Sequence, residues 1–125
     1  MCIRDRDVTR FFLDLWREVL VRSGLRAGCA VLAVTVATDS PDLLDHAATV
    51  FRAWRARLAE LYAARGVERS LAERFSATLV AASEGAVVIS RAERSLEPFD
   101  LVAAQLLEGT PAGRSSGRRS GRRPT

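Results

Sequence analysis

Few side chains in this chain could carry out covalent or metal chemistry. His46 is the only histidine, and Cys2 and Cys29 are the only cysteines. A zinc site needs several Cys, His or acidic ligands, and a Cys–His nucleophilic pair needs both partners within reach of each other. No second histidine or cysteine stands at such a spacing. The sequence therefore predicts no catalytic residue, no metal site and no cofactor, and we expect a protein that is not an enzyme.

The two reactive side chains within the body of the chain have structural interpretations. Cys29 opens an apolar run and has no neighbouring cation to lower its pKa, so a small buried hydrophobe is favoured over a thiol sensor. His46 follows Asp42 and Asp45 in the second turn of a predicted helix, which favours a solvated surface position over contact with a ligand.

Glu84 is the most informative charge, because it stands beside Gly85 in the apolar half of a predicted helix. An unpaired buried carboxylate is costly, so we expect a cationic partner, either Arg91 or an arginine of a second copy; an exposed groove position is the alternative. Gly85 costs about 1 kcal/mol relative to alanine within a helix. Close approach of a partner helix would explain its presence.

Most of the aromatic surface belongs to five residues on two predicted helices. Together they could line a cavity for a planar or lipophilic effector, and the alternative for each is ordinary core packing. These residues are Phe12, Trp16, Phe51, Trp54 and Tyr62.

The helix predicted over residues 70–94 is apolar on more than one face. One stripe recurs at steps of three and four and contains Leu71, Phe75, Leu79, Ala82, Ala86 and Ile89. A second stripe contains Ala77, Val80, Ala81, Val87 and Val88. Because a helix that is apolar all round is normally buried all round, we expect one side to pack on its own domain and another on a second copy. Ser70 and Glu73 are predicted to form a capping box.

Four further helices are predicted around this one. The first begins after Asp7 or Thr9, and the remaining three cover residues 29–38, 40–66 and 98–109. By local propensity residues 29–38, CAVLAVTVAT, would form a buried strand. No second strand-like run exists to pair with it, so a short buried helix is the better interpretation.

Length and charge indicate one domain followed by a basic tail. The 125 residues carry a net charge of +4, but five of the 19 basic residues lie within residues 114–123. The other 14 face 15 acidic residues, which leaves residues 1–112 at −1. Residues 111–125 are predicted to be a disordered Arg/Gly/Ser tail that aids solubility, with salt-dependent phosphate contacts as the alternative.

Residues 1–6, MCIRDR, follow no structural pattern and are expected to be a non-native leader before a domain at residues 7–110.

The composition also indicates the cellular compartment and whether the protein contacts a membrane. Two cysteines give no disulfide framework, and the longest apolar run is too short to cross a bilayer. We therefore expect a cytoplasmic protein with no membrane partner.

Three passages resemble the C-terminal domain of TetR-family transcriptional regulators, LmrA/YxaF-like subgroup. They are RAGCAVLAV at residues 26–34, FRAWRARL at 51–58 and SEGAVVISRAER at 83–94, and the order of the helices extends the resemblance over residues 9–109. Ala30 departs from the subgroup, which usually has proline there. The resemblance implies an all-α, five-helix fold whose last two helices form a dimeric four-helix bundle. It also implies that operator DNA is bound only through an N-terminal helix-turn-helix domain that is missing from this chain.

The resemblance also implies a function and its sites. The domain would sense a small hydrophobic or aromatic effector, form a homodimer, and belong to a repressor that the effector releases. The alternative is a stand-alone helical interaction module without a ligand. The pocket would lie between the first helix, the short apolar helix and the 40–66 helix, with candidate ligand residues Phe12, Trp16, Cys29, Phe51, Trp54 and Leu58. The candidate dimer interface comprises Phe75, Leu79, Glu84, Gly85, Val88, Phe99, Val102 and Leu106.

Overall fold

The computed structural model describes residues 4–113, which form five helices and no strand. The helices are α1 (Asp5–Arg22), α2 (Ala30–Ala37), α3 (Pro41–Ala63), α4 (Arg69–Glu93) and α5 (Glu97–Glu108). The predicted all-α, five-helix fold is confirmed, including the short helix where propensity alone favoured a strand. Cys2, the first three residues of the predicted leader and the tail from residue 114 onward lie outside the described residues.

Two helix starts differ from their predicted positions. Helix α1 begins at Asp5, within the predicted leader, and the Arg4 backbone N–H donates to the carboxylate of Asp7 at 2.9 Å. The Ser70–Glu73 capping box is wrong, because the N-cap of α4 is Glu68, two residues before Ser70.

The cap of α4 is instead the carboxylate of Glu68. It accepts the backbone N–H groups of Ser70 at 3.0 Å and Leu71 at 2.9 Å. Glu73 forms an ion pair with Arg69 at 3.5 Å. A capping carboxylate is favourable here because it meets both the unpaired N–H groups and the positive end of the helix dipole.

The inner face of α4 consists mainly of small side chains. Ala72, Ser76, Leu79, Ser83, Ala86 and Ser90 follow one another at alternating steps of four and three and are all buried. This face is rotated by about one residue from the predicted one, since Leu71 and Ile89 are exposed. Small side chains let neighbouring backbones approach closely, and α3 and α5 pack against this face.

A buried polar cluster ties both ends of the domain together. The hydroxyl groups of Thr9 on α1 and Tyr62 on α3 are hydrogen-bonded, and the Thr110 hydroxyl donates to Thr9 Oγ1 at 2.9 Å. Burial raises the pKa of Tyr62 to about 12, so its hydroxyl stays protonated. The Gly113 backbone N–H donates to the carboxylate of Asp5 at 2.7 Å, and a Cβ at residue 113 would overlap the Arg65 carbonyl. The segment after α5 thus lies against the start of α1 and the end of α3.

Replacing Thr9 with valine tests this cluster. Thr9→Val keeps the shape but leaves the buried Tyr62 hydroxyl without its partner, which should lower the free energy of unfolding by about 1–3 kcal/mol. Urea denaturation followed by circular dichroism measures the loss. Thr78→Val, at an exposed position whose hydroxyl bonds only to its own helix, is the matched control and should change stability by about 0.5 kcal/mol or less. Equal losses in the two variants would contradict a stabilising role for the cluster.

Candidate functional site

Helix α2 is apolar along its whole length, yet none of its residues is buried. Its sequence, AVLAVTVA, contains no charged side chain, and Val36 is 77% exposed. The helix packs against α3 but makes few contacts with α4. Only Cys29, the residue before its first turn, is buried in this part of the chain. The space between this apolar helix and α4 is therefore suited to apolar molecules.

A large concavity lies between α2, the loop before it and the second half of α4. We call it the α2–α4 cavity; its volume is about 980 Å³, near the upper end of the range for small-molecule sites. Its apolar walls are Leu25, Cys29, Leu32, Val36, Val87 and Val88. The predicted pocket, between α1, α2 and α3, lies elsewhere in the domain.

Three arginines complete the rim of the α2–α4 cavity. Arg26 belongs to the α1–α2 loop, and Arg91 and Arg94 belong to the end of α4. Arg94 adopts a left-handed backbone conformation (φ 52°), as does Leu25 (φ 65°). These are the only two non-glycine residues with positive φ in the described part of the chain, and both line this cavity. Each follows the C-terminal end of a helix, where a left-handed residue closes the last turn, so the cavity lies where α1 and α4 end.

A second concavity, the α1–α3 groove, contains three of the six candidate ligand residues. Phe12, Trp54 and Leu58 line this groove of about 690 Å³, together with Phe11, which is 69% exposed. The ring of Trp54 is packed edge-on against Trp16, at a centroid distance of 6.2 Å, and against Phe51, at 5.6 Å. The aromatic residues therefore form one cluster on the α1–α3 side.

The six candidate ligand residues thus do not share one cavity. Cys29 lies in the α2–α4 cavity, whereas Phe51 lines a third concavity, which we call the Glu84 cleft, together with Leu32, Arg55 and Glu84. Trp16 lines none of the three, and its ring packs edge-on against Trp54. The sequence analysis did not identify the residues that form the wall and rim of the α2–α4 cavity. The one available signal was the apolar run at residues 29–38, for which no covering element was assigned.

Glu84 is only 4% exposed, and the expected ion pair with Arg91 does not form. Neither carboxylate oxygen has a hydrogen-bond partner of normal geometry, although the Cys29 thiol interacts weakly with the group. Burial raises the pKa of Glu84 and, to a lesser degree, its contact with Cys29 lowers it. Burial also raises the pKa of the Cys29 thiol, which disfavours the reactive thiolate. Burial thus favours the protonated form of both groups, which meet where the residue before α2 contacts α4.

Half of the candidate interface residues are internal to the single chain. Leu79, Glu84, Phe99 and Leu106 are buried in its own core, whereas Phe75 and Val102 are half-buried. Gly85 and Val88 are exposed on α4. The surface part of the candidate interface is therefore the outer side of α4.

Other kinds of site have little support in the described residues. Between residues 4 and 113 there is no group of three His, Cys, Asp or Glu side chains placed to hold a metal ion. His46 is exposed, as predicted. No helix in that range combines the length and apolarity needed to cross a membrane.

Glu84 should make the stability of the domain pH-dependent. The pKa of Glu84 in the folded state lies above the ordinary 4.5. Between these two pKa values, the unfolded state releases a proton that the folded state keeps. Relative to Glu84→Gln, the wild-type protein should therefore lose stability as the pH rises above 4.5, with no such loss below it. Urea unfolding across pH measures the difference. Glu93→Gln, at an exposed position of α4, is the matched control, and an equal pH dependence there would contradict the assignment.

Comparison with known proteins supplies the family. Residues 7–105 match the family model for the C-terminal domain of LmrA/YxaF-like transcriptional regulators. The chain is also 34% identical over 101 residues to uncharacterised HTH-type transcriptional regulators from two strains of Mycobacterium tuberculosis, CDC 1551 and H37Rv. Each alignment covers 75% of this chain and 52% of the relative, so the chain spans about half the length of these relatives.

No solved structure gives a significant match. The family assignment therefore rests on the sequence comparisons, and the helical architecture agrees with it. The chain belongs to the LmrA/YxaF-like transcriptional regulators and contains their C-terminal domain.

Proposed function

We propose that this domain senses a small apolar effector in the α2–α4 cavity. The observation that carries the proposal is the packing of α2, a wholly apolar helix with no buried residue that walls a cavity of about 980 Å³. An apolar ligand there would remove from water surface that the protein leaves uncovered, which contributes about 25 cal/mol per Å². The cytoplasm, where regulators of this family meet DNA, is the expected compartment.

We further propose that the domain forms a homodimer through α4 and α5. The exposed side of α4 carries Leu71, Val88 and Ile89, and α5 adds Leu101, which is 64% exposed. Large exposed apolar side chains along one surface are typical of interfaces. Between them lies Gly85, where a Cβ would meet no atom within 4 Å in the single chain. Since the chain itself does not require glycine there, close approach of a partner helix accounts for it.

The cavity and the proposed interface share part of α4. Val88 and Ala92 line the α2–α4 cavity and are themselves exposed; Val88 lies one turn from Gly85 and next to Ile89, and Ala92 lies one turn further along α4. A ligand that favours one position of α4 would thereby favour one arrangement of the dimer. This is a population shift, limited by the difference in ligand affinity between the two arrangements.

Operator control belongs to a longer protein in this proposal. The relatives are named HTH-type regulators and are about twice as long as the stretch they share with this chain. We propose that the longer protein carries a DNA-binding domain on each protomer. Effector binding then changes the spacing of these domains, which releases a repressor from its operator.

Filling the cavity should abolish effector binding. A thermal-shift panel of hydrophobic drugs and aromatic natural products should yield at least one compound that raises Tm. Ala33→Phe places a ring in the α2–α4 cavity and should remove that shift. Ala37→Phe, on the same helix but outside the cavity lining, is the matched control and should retain it. A panel without any stabilising compound would favour the helical interaction module.

Enlarging Gly85 should weaken self-association. Gly85→Leu replaces a poor helix former with a good one, so a lone chain should become more stable, by about 1 kcal/mol. In a dimer with close helix crossing, the added side chain should instead raise the dissociation constant at least about tenfold, a change worth about 1.4 kcal/mol. Sedimentation equilibrium at micromolar concentration measures this. Ala53→Leu, exposed on α3, is the control, and a wild-type monomer would refute the interface.

A further inference from the structure

The rim of the α2–α4 cavity carries positive charge that no acidic side chain balances. Arg26, Arg91 and Arg94 line the cavity, and none of its other lining residues is charged. None of these three guanidinium groups takes part in an ion pair within residues 4–113. Arg17, Arg22, Arg57 and Arg69 form ion pairs in the same range, and none of these four lines the cavity. The cavity thus combines apolar walls with unpaired guanidinium groups.

The arginines come from both sides of the opening. Arg26 lies on the α1–α2 loop, whereas Arg91 and Arg94 lie on α4. The Nη1 atom of Arg91 is 3.3 Å from the point that a Cβ of residue 28 would occupy, so this guanidinium reaches across from α4 to the loop. The left-handed backbone at Arg94 turns the chain at the end of α4 while keeping its side chain on the rim. Both sides of the opening thus supply a guanidinium group.

Helix dipoles and the buried carboxyl group do not cancel this charge. The positive end of α2 begins at Ala30, directly after the cavity residues Gly28 and Cys29. The negative end of α4 is also near, but a helix end carries about half a unit charge, less than the two arginines beside it. Glu84 lines the neighbouring cleft instead of the cavity, and burial raises its pKa.

From this geometry we infer that the effector is a lipophilic anion. This inference rests on the proposed sensing function and specifies its ligand class: an apolar body in contact with Leu32, Val36 and Val88, and a carboxylate or phosphate headgroup bound by the arginines. Guanidinium groups bind the oxygens of both headgroups with paired, charge-assisted hydrogen bonds. The charge of the headgroup, and not only its apolar body, contributes to affinity.

The test uses four probes with the same ten-carbon body and the full chain. Decanoate, decyl phosphate, decanol and decyltrimethylammonium are titrated by isothermal calorimetry at low and high salt. Decanoate or decyl phosphate should bind at least about tenfold more tightly than decanol, and the cation most weakly, since a hydrogen bond to a charged group contributes about that factor. Added salt should weaken binding of the anions only. The ranking of the two anions identifies the headgroup.

Two arginine variants test which positive charge contributes to binding of the anion. Arg91→Gln should weaken decanoate binding about tenfold and leave decanol unchanged. Arg10→Gln removes the same charge from an exposed position of α1 outside the cavity and should leave both affinities unchanged. Ala33→Phe should abolish binding of all four probes, and decanoate binding that persists in this variant would place the anion elsewhere and overturn the inference.

Two failures remain distinguishable. If decanol binds as tightly as both anions, or if Arg91→Gln and Arg10→Gln behave alike, the anion preference is wrong while the sensing function stands. If no probe binds and the wider panel also yields no ligand, the sensing function fails, and the inference fails with it.

Discussion

The domain depends on the small side chains along the inner face of α4. Alanine and serine at positions 72, 76, 83, 86 and 90 let α3 and α5 pack close to the α4 backbone. The polar atoms that this brings inside are mostly satisfied locally: the Ser90 hydroxyl accepts the backbone N–H of Phe99 at 3.0 Å, and the Ser83 hydroxyl donates to the Val80 carbonyl at 3.1 Å. The first of these bonds joins the end of α4 to the first turn of α5.

Close packing on one side of α4 leaves its larger apolar residues on the other side. Leu71 and Ile89 point away from the core, which places them where only a second molecule could cover them. The exposure of α2 also has its origin in helix packing. It has no charged side chain and only eight residues, and it packs on α3 instead of following α4, so a cavity opens between α2 and α4. The exposed face of α4 therefore follows from the packing of α4, and the cavity follows from the packing of α2 on α3.

Much of the fold could be predicted from the sequence, because helix boundaries depend on local signals. Pro41, Gly24 and Gly109 mark helix ends within one or two residues of their observed positions. The face of α4 could not be predicted in the same way. Hydrophobicity ranks Leu71 and Ile89 above Ser76 and Ser83, whereas in the folded chain close helix packing buries the serines.

The candidate site was harder to predict, because a cavity depends on the distance between helices. The aromatic residues signalled a pocket, and most of them line the α1–α3 groove or stack on one another. The rim arginines gave no signal in a chain with 19 basic residues, since only the fold brings Arg26 next to Arg91. Glu84 was singled out as a position where burial of a charge would be costly, and it is buried; the ion pair with Arg91 does not form within the chain, and a partner from a second copy stays a prediction.

Glu84 also bears on how ligand and dimer could be linked. It contacts Cys29, which lines the cavity, and it lies beside Gly85 on the proposed interface. A movement of α2 away from α4 would admit water to this carboxyl group and lower its pKa, because hydration favours the charged form. Burial of Glu84 therefore couples its protonation to the packing of Cys29 against α4.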